Sequence, residues 1–172
     1  MKRGCLYCYS GNMDRAIEVF HGFYPDIRLV YPRRMKRKYI RANNTFIDEA
    51  IPLLPGYMFF ETDKDLPKGK LERTDYLLRL LTYTDGEWQL RGADDRFARM
   101  IMNTDGKIGV SKAYFDGNNR MRILDGFLKD YEESIVSVKR KYRTAEICIE
   151  FQDRALRMKL DYELMQPMGM SS

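Results

Sequence analysis

The chain has 172 residues, 44% hydrophobic and 32% charged, with a formal net charge of +5; its length permits one ordinary core or two modest ones, and its bulky apolar content excludes general disorder. No apolar run approaches the roughly 20 residues that cross a bilayer, and the apolar stretch at 5–9 is too short for a signal-peptide core, so a cytoplasmic protein with no membrane partner is expected. Three cysteines in such a chain argue for reduced thiols over a disulfide framework.

Residues 4–9 alternate weakly and predict a buried strand that stops at Ser10-Gly11. Met13, Ala16, Ile17 and Phe20 recur at the spacing of one helical face, with Ser10 or Asn12 as cap, Asp14 in the first turn and Gly22 as terminator. Ile27, Leu29 and Tyr31 alternate with Arg28 and Val30, a second strand stopped by Pro32. Six cations, Arg33, Arg34, Lys36, Arg37, Lys38 and Arg41, then crowd a segment with no apolar face to bury. A protruding loop or flexible hairpin over 33–44 is expected.

A third strand is predicted over 53–61, its entrance bent by Pro55-Gly56; Tyr57-Met58-Phe59-Phe60 is apolar on both faces, as in a central strand. A short helix over 66–73 and a strand over 77–83 follow. Asp85-Gly86 is a turn, and Phe97, Met100 and Ile101 mark an amphipathic helix between Gly92 and Gly106. That order predicts an α+β fold of split βαβ type, an antiparallel sheet backed by helices on one face.

From residue 104 the composition shifts to Gly, Asn, Asp and Lys, the signature of a linker. Beyond it the period becomes two: Ala145, Ile147, Ile149 and Phe151 alternate with Glu146, Cys148 and Glu150, then Leu156, Met158 and Leu160 with Arg157 and Lys159. Short strands without helices cannot bury both faces of an open sheet, so a small closed barrel is expected. The anticipated organisation is a first domain over 1–103, a linker over 104–117, a barrel over 118–166 and a disordered tail over 167–172.

Three motifs carry a resemblance: the strand ending Leu6-Tyr7-Cys8-Tyr9-Ser10-Gly11, the turn Leu54-Pro55-Gly56-Tyr57, and Arg122-Ile123-Leu124-Asp125-Gly126 followed by Ile135-Val136-Ser137-Val138 and a basic hairpin. In this order and spacing the chain resembles the NusG family of transcription elongation factors, which join an NGN domain to a KOW domain with an SH3-like barrel. Ile108-Gly109-Val110-Ser111-Lys112-Ala113 and Lys139-Arg140-Lys141-Tyr142-Arg143-Thr144-Ala145 look more like the LoaP-type antiterminators than the housekeeping factor. Phe127 stands where the family usually has proline and Glu133 where it usually has glycine. The second departure implies a changed turn, because glycine tolerates positive φ and glutamate does not; it bears on contacts of that loop, including any to a ribosomal protein.

The resemblance implies a non-enzymatic monomer. Its first domain would dock on the clamp helices of the largest subunit of RNA polymerase and disfavour pausing and termination. Its second would recognise an RNA hairpin in the nascent leader.

Tyr9, Leu54, Pro55, Gly56, Tyr57 and Phe59 are the candidates for an apolar groove that accepts a helix; the plainer reading is a core strand with a bent entrance. Lys139, Arg140, Lys141 and Arg143 suit phosphate contact at a hairpin tip, with Tyr142 stacking on a base and Lys129 joining the set. The plainer reading there is a solvated basic turn that guards a sheet edge. Arg33, Arg34, Lys36, Arg37 and Lys38 suit the non-template DNA strand or the upstream duplex, or else a solubilising loop.

Cys5 and Cys8 form a C-x-x-C, but three apart on a strand they face opposite ways, and only Cys148 and His21 remain as further ligands. Buried thiols are expected, with no metal and no cofactor. His21 sits at a helix end and Asp94-Asp95 at a helix start, positions that the helix dipole explains. Without a phosphate-cradling loop, a nucleophile motif or an acid–base constellation, an enzyme acting on nucleic acid ranks behind two other readings. These are the antitermination factor and a stand-alone RNA-binding protein acting in ribosome assembly or translation.

Overall fold

The computed structural model describes residues 1–9, 11–66 and 78–166, except the Arg37 side chain. Ser10, most of the helix expected over 66–73, and the tail over 167–172 lie outside the described residues. The fold is mixed α and β, with most of its elements strands gathered in several sheets. No described helix is long and apolar enough to cross a membrane.

The chain divides into two compact units, each built from three segments: Met1–Pro32, Leu54–Gly106 and Glu150–Arg154 in the first, Arg33–Leu53, Lys107–Ile149 and Ala155–Ser172 in the second. This differs from the sequential division expected. The basic segment groups with the second unit, and the interval expected as a linker contains two strands, β7 (Lys107–Ile108) and β8 (Ser111–Phe115).

In the first unit, β1 (Lys2–Cys8), β2 (Arg28–Val30), β5 (Tyr57–Thr62) and β6 (Leu78–Leu80) form a sheet of order β2-β5-β1-β6, antiparallel throughout. Helix α1 (Met13–Phe23) starts where the Asn12 side chain accepts the Arg15 N–H at 3.1 Å. It passes Gly22 and ends at Tyr24, whose N–H donates to Phe20 O, with Pro25 beyond. Phe20 packs on Phe60, with ring centroids 6.0 Å apart, in a cluster that holds Leu6, Met58, Leu78 and Leu80.

Helix α2 (Gly92–Asn103) lies on the other face: Phe97 meets Phe59 at 5.7 Å, and Phe151 meets both at 5.8 Å. Phe59 and Phe60 are neighbours on one strand and therefore point to opposite faces. One helix thus covers each face, correcting the expectation of helices on a single face. The physical reason is that β5 is apolar on both sides, and each side needs a cover.

Residues 150–154 contribute a tight turn at Gln152-Asp153, both at positive φ (46° and 63°). Asp94 accepts the Gln152 N–H at 3.0 Å and the Tyr83 hydroxyl at 2.7 Å, while Asp153 accepts Thr84 N–H and Oγ1 at 3.1 and 3.0 Å. The acidic pair at the start of α2 does more than balance a dipole. Asp95 also accepts Arg3 Nη1 at 3.0 Å and Arg99 Nη2 at 3.1 Å.

In the second unit, β3 (Arg33–Ile40) and β4 (Thr45–Pro52) form an antiparallel ribbon in register from Arg33↔Pro52 to Ile40↔Thr45, and β3 pairs in parallel with β7. Of the two expectations for 33–44, loop or hairpin, the structure has the hairpin, with 33–40 a full strand of it. Across the ladder Lys36 stands in register with Glu49, and Lys38 Nζ lies 4.0 Å from that same carboxylate.

A five-stranded sheet has the order β10-β11-β12-β8-β9, with β9 (Met121–Asp125), β10 (Ile135–Lys139), β11 (Thr144–Phe151) and β12 (Arg154–Leu164). A 3₁₀ segment, Phe127–Ser134, links β9 to β10. Gly126 precedes it at φ 99°, and a Cβ there would stand 2.7 Å from Ser111 Oγ. That oxygen is needed where it is, since it accepts the Leu128 N–H at 3.1 Å. Glu132 accepts Arg122 Nη1 at 3.1 Å and the Ile123 N–H at 3.0 Å, closing the 3₁₀ segment onto β9.

Candidate functional site

Leu54, Pro55, Gly56 and Tyr57 form a turn in which the Tyr57 N–H donates to Leu54 O at 3.0 Å. Proline sets the first central position and Gly56, at φ 91°, takes the second, which requires positive φ in a type II turn. The Gly56 carbonyl accepts the Cys8 N–H at 2.7 Å, and a Cβ on Gly56 would stand 2.7 Å from the Tyr7 ring. The turn is thereby stitched to the end of β1.

Tyr57 and Tyr7 are register partners, with rings 5.1 Å apart and edge-on, and Tyr9 meets Tyr7 at 5.0 Å. Tyr57 shares a face with Phe59 and Tyr7 with Cys5, by the two-residue period of a strand. Tyr7 and Tyr57 are half-buried, Tyr9 is 53% exposed, and Arg79 Nη1 approaches the Tyr9 hydroxyl at 3.4 Å. Burial pushes the Tyr57 hydroxyl up, with the nearby Cys5 thiol a smaller cause and Arg154 opposing. The surface is an aromatic patch.

Of the six residues expected to form it, Tyr9, Pro55 and Tyr57 reach solvent, while Leu54, Gly56 and Phe59 are buried. Phe59 is a core side chain between Phe97 and Phe151, and Leu54 and Gly56 shape the turn without presenting a side chain at this surface. Tyr7 and Arg79 belong to the patch and were not among the candidates. The register of β1 on β5 was the signal, because Tyr7 lies opposite Tyr57 only in that pairing.

The candidates for nucleic acid fall on two elements of the second unit. Lys36 and Lys38 are exposed on β3, whereas Arg33 and Arg34 are partly buried, and the Arg37 side chain lies outside the described residues. Arg34 Nη1 is 3.7 Å from Asp161 and donates to Lys159 O at 3.4 Å, so this cation serves the fold. At the ribbon tip Tyr39 and Phe46 meet at 5.1 Å, and Phe46 is 61% exposed.

Between β10 and β11 the chain makes a 3₁₀ turn, Arg140–Tyr142, closed by Arg143 in the left-handed region at φ 53°. Lys139, Lys141, Tyr142 and Arg143 are exposed there, Tyr142 at 65%. Arg140 is exposed but occupied: its guanidinium lies 3.7 Å over the Phe115 ring and donates to Asn119. Lys129 is exposed on the 3₁₀ segment after β9, on a different element from this turn.

Beside the turn lies a groove of about 550 Å³, lined by Lys36 and Asp48 of the ribbon, Val110, Tyr142, Arg143 and the end of β12 from Asp161 to Leu164. It brings the two basic segments to one place. Burial holds the Asp161 carboxyl above the usual range, with Arg34 and Lys36 opposing.

Cys5 and Cys8 are both buried, and burial pushes the Cys5 thiol far up, so it stays protonated and behaves as an apolar side chain. His21, in the last turn of α1, places Nε2 3.1 Å from Ile27 O. Among the described residues no group of three His, Cys, Asp or Glu side chains is placed to hold a metal ion. Compared with known proteins, the chain matches no protein-family model and no curated protein.

Proposed function

We propose that this chain is a transcription elongation and antitermination factor of NusG type, its first unit an NGN domain and its second a KOW domain built on an SH3-like barrel. The first unit docks through Tyr7, Tyr9, Pro55 and Tyr57 on the clamp helices of RNA polymerase and disfavours pausing and termination. The second contacts the nascent leader RNA hairpin through Lys139, Lys141, Tyr142 and Arg143, and Lys36 and Lys38 of the ribbon meet non-template DNA. The protein acts by binding, without catalysis, as a cytoplasmic monomer.

The observation that carries this reading is the tyrosine patch. Tyr7 and Tyr57, paired across two strands and half-exposed, with the exposed Tyr9 ring against Tyr7, give an amphipathic helix a rigid aromatic seat. Rigid anchors lose little entropy on binding. The four-stranded sheet with a helix on each face supports the NGN assignment, and the βstrand-rich second unit with its exposed basic turn supports the KOW assignment.

A single-round transcription assay with purified polymerase tests the function, on a template carrying the protein's own leader ahead of a terminator. Increased readthrough that disappears in Tyr57→Ala is the expected result. Unchanged readthrough, with the protein sedimenting with ribosomal particles from cell extract, would transfer the role to ribosome assembly or translation.

A further inference from the structure

The groove beside the basic turn has a chemistry more specific than positive charge. Its volume of about 550 Å³ falls within the range of small-ligand sites. Tyr142 stands at its rim, 65% exposed, and Val110 and Leu164 line it with apolar surface that is 42% and 43% exposed. Lys36 and Arg143 supply cations, and Asp48, Asp161 and Glu163 supply carboxylates. Of these, Asp161 has a buried Oδ2 that accepts no hydrogen bond among the described residues, with Arg34 Nη1 in ion-pair range at 3.7 Å.

Those parts match the parts of a nucleotide. An aromatic ring at a rim takes the flat face of an unstacked base, and cations beside it take the phosphate. A carboxylate is an acceptor only, so it selects a base edge that carries donors. Guanine is the base whose Watson–Crick edge offers two adjacent donors, N1–H and the N2 amino group, which a carboxylate accepts in bidentate fashion. Uracil, with one imino donor flanked by two acceptors, meets the same carboxylate poorly.

We infer that this groove seats an unpaired guanine base, with Tyr142 on its face, the Asp161 carboxylate on its donor edge, and Arg143 at its phosphate. The inference rests on the reading of the second unit as an RNA-contacting domain and adds base selection to it. The exposed turn supplies affinity through phosphates, which carry no sequence information, and the groove supplies choice.

Fluorescence anisotropy of the full chain with labelled short uridine oligomers, unmodified or carrying one central guanosine, adenosine or cytidine, tests it. A single guanosine is expected to tighten binding about tenfold over plain oligouridine, the scale of one bidentate contact. Asp161→Asn should erase that preference and leave the oligouridine affinity in place, while Tyr142→Ala should weaken every oligomer. Equal affinity for all four oligomers, or a guanosine preference that survives Asp161→Asn, overturns the proposal.

Should Asp161→Asn fail to fold, judged by circular dichroism, Val110→Trp fills the groove from an exposed position. It must abolish the preference, and a preference retained there overturns the proposal equally. If no oligomer binds at all, the RNA reading fails, and titration calorimetry with guanosine monophosphate decides the groove: binding lost in Val110→Trp keeps the site as one for a free nucleotide, and no binding overturns it. The readthrough assay judges the polymerase function independently.

Discussion

The tyrosine patch of the first unit and the basic turn of the second are held by different forces. Tyr7 and Tyr57 stand on strands whose opposite pairing, turn and underlying phenylalanines fix the rings before any partner arrives. The turn at 140–143 has no buried residue in its 3₁₀ segment and is fastened by the left-handed Arg143 and by Arg140 on Phe115. An apolar, pre-set surface should bind with little dependence on salt, and a charged exposed one with strong dependence. Removing what lies beneath the patch should therefore cost stability, and removing the turn's charges should cost affinity.

The most disruptive test is Phe151→Ala, which empties the space against Phe59 and Phe97 and should destabilise the first unit by about 3–5 kcal/mol. Denaturant unfolding followed by Trp88, the single tryptophan, reads that unit directly. Gly56→Ala comes next, at about 1–3 kcal/mol, because it combines a positive φ with a Cβ pressed on the Tyr7 ring. Its tyrosine patch should distort, so polymerase binding falls along with the melting temperature.

Tyr57→Ala should weaken polymerase association about tenfold or more, the scale of an aromatic hot spot, with little change between low and moderate salt in a surface-capture assay. In the second unit, Lys141→Ala should lower the log–log salt slope of RNA binding by about 0.7, one phosphate on a single strand. Arg140→Ala should change that slope less, because its guanidinium is already committed to Phe115 and Asn119. Equal slope changes would place Arg140 on the RNA.

The smallest effect is in alkaline pH. Burial, with the hydrogen bond to Asp94 a second cause, pushes the Tyr83 hydroxyl up to about 12. The unfolded chain releases that proton nearer 10, so it binds fewer protons than the folded chain through this interval, and stability falls as pH rises between these values. Tyr83→Phe should flatten that part of the stability curve while lowering the plateau by the lost hydrogen bond.

Several elements were legible from local pattern. The spacing of Met13, Ala16 and Phe20 located α1, and Asn12 capped it as a side chain of that type should. The apolar run at Tyr57–Phe60 marked a two-sided strand, although its consequence, a helix on each face, went undrawn. Less legible was the basic ribbon. Read as a single segment, six cations repel one another; in the fold Lys38 meets Glu49 and Arg34 meets Asp161, carboxylates on strands that the segment alone does not show. The burial of Phe59 is illegible for a related reason: composition marks a residue as apolar and aromatic, and only the covering helix says whether it is surface or core.

What the amino-acid sequence determined by itself was short in range: helix periods, strand alternation, and a Pro-Gly pair demanding a type II turn. These depend on neighbours within a few positions, and hard-sphere sterics and capping act over that distance. Tertiary structure alone decided which tyrosines stay uncovered, which cations are spent on the fold, and how Lys36, Val110, Tyr142 and Asp161 come to line one groove. Those outcomes follow from strand pairing across long stretches of chain, where partners are chosen by the burial of whole faces, a quantity no single segment carries.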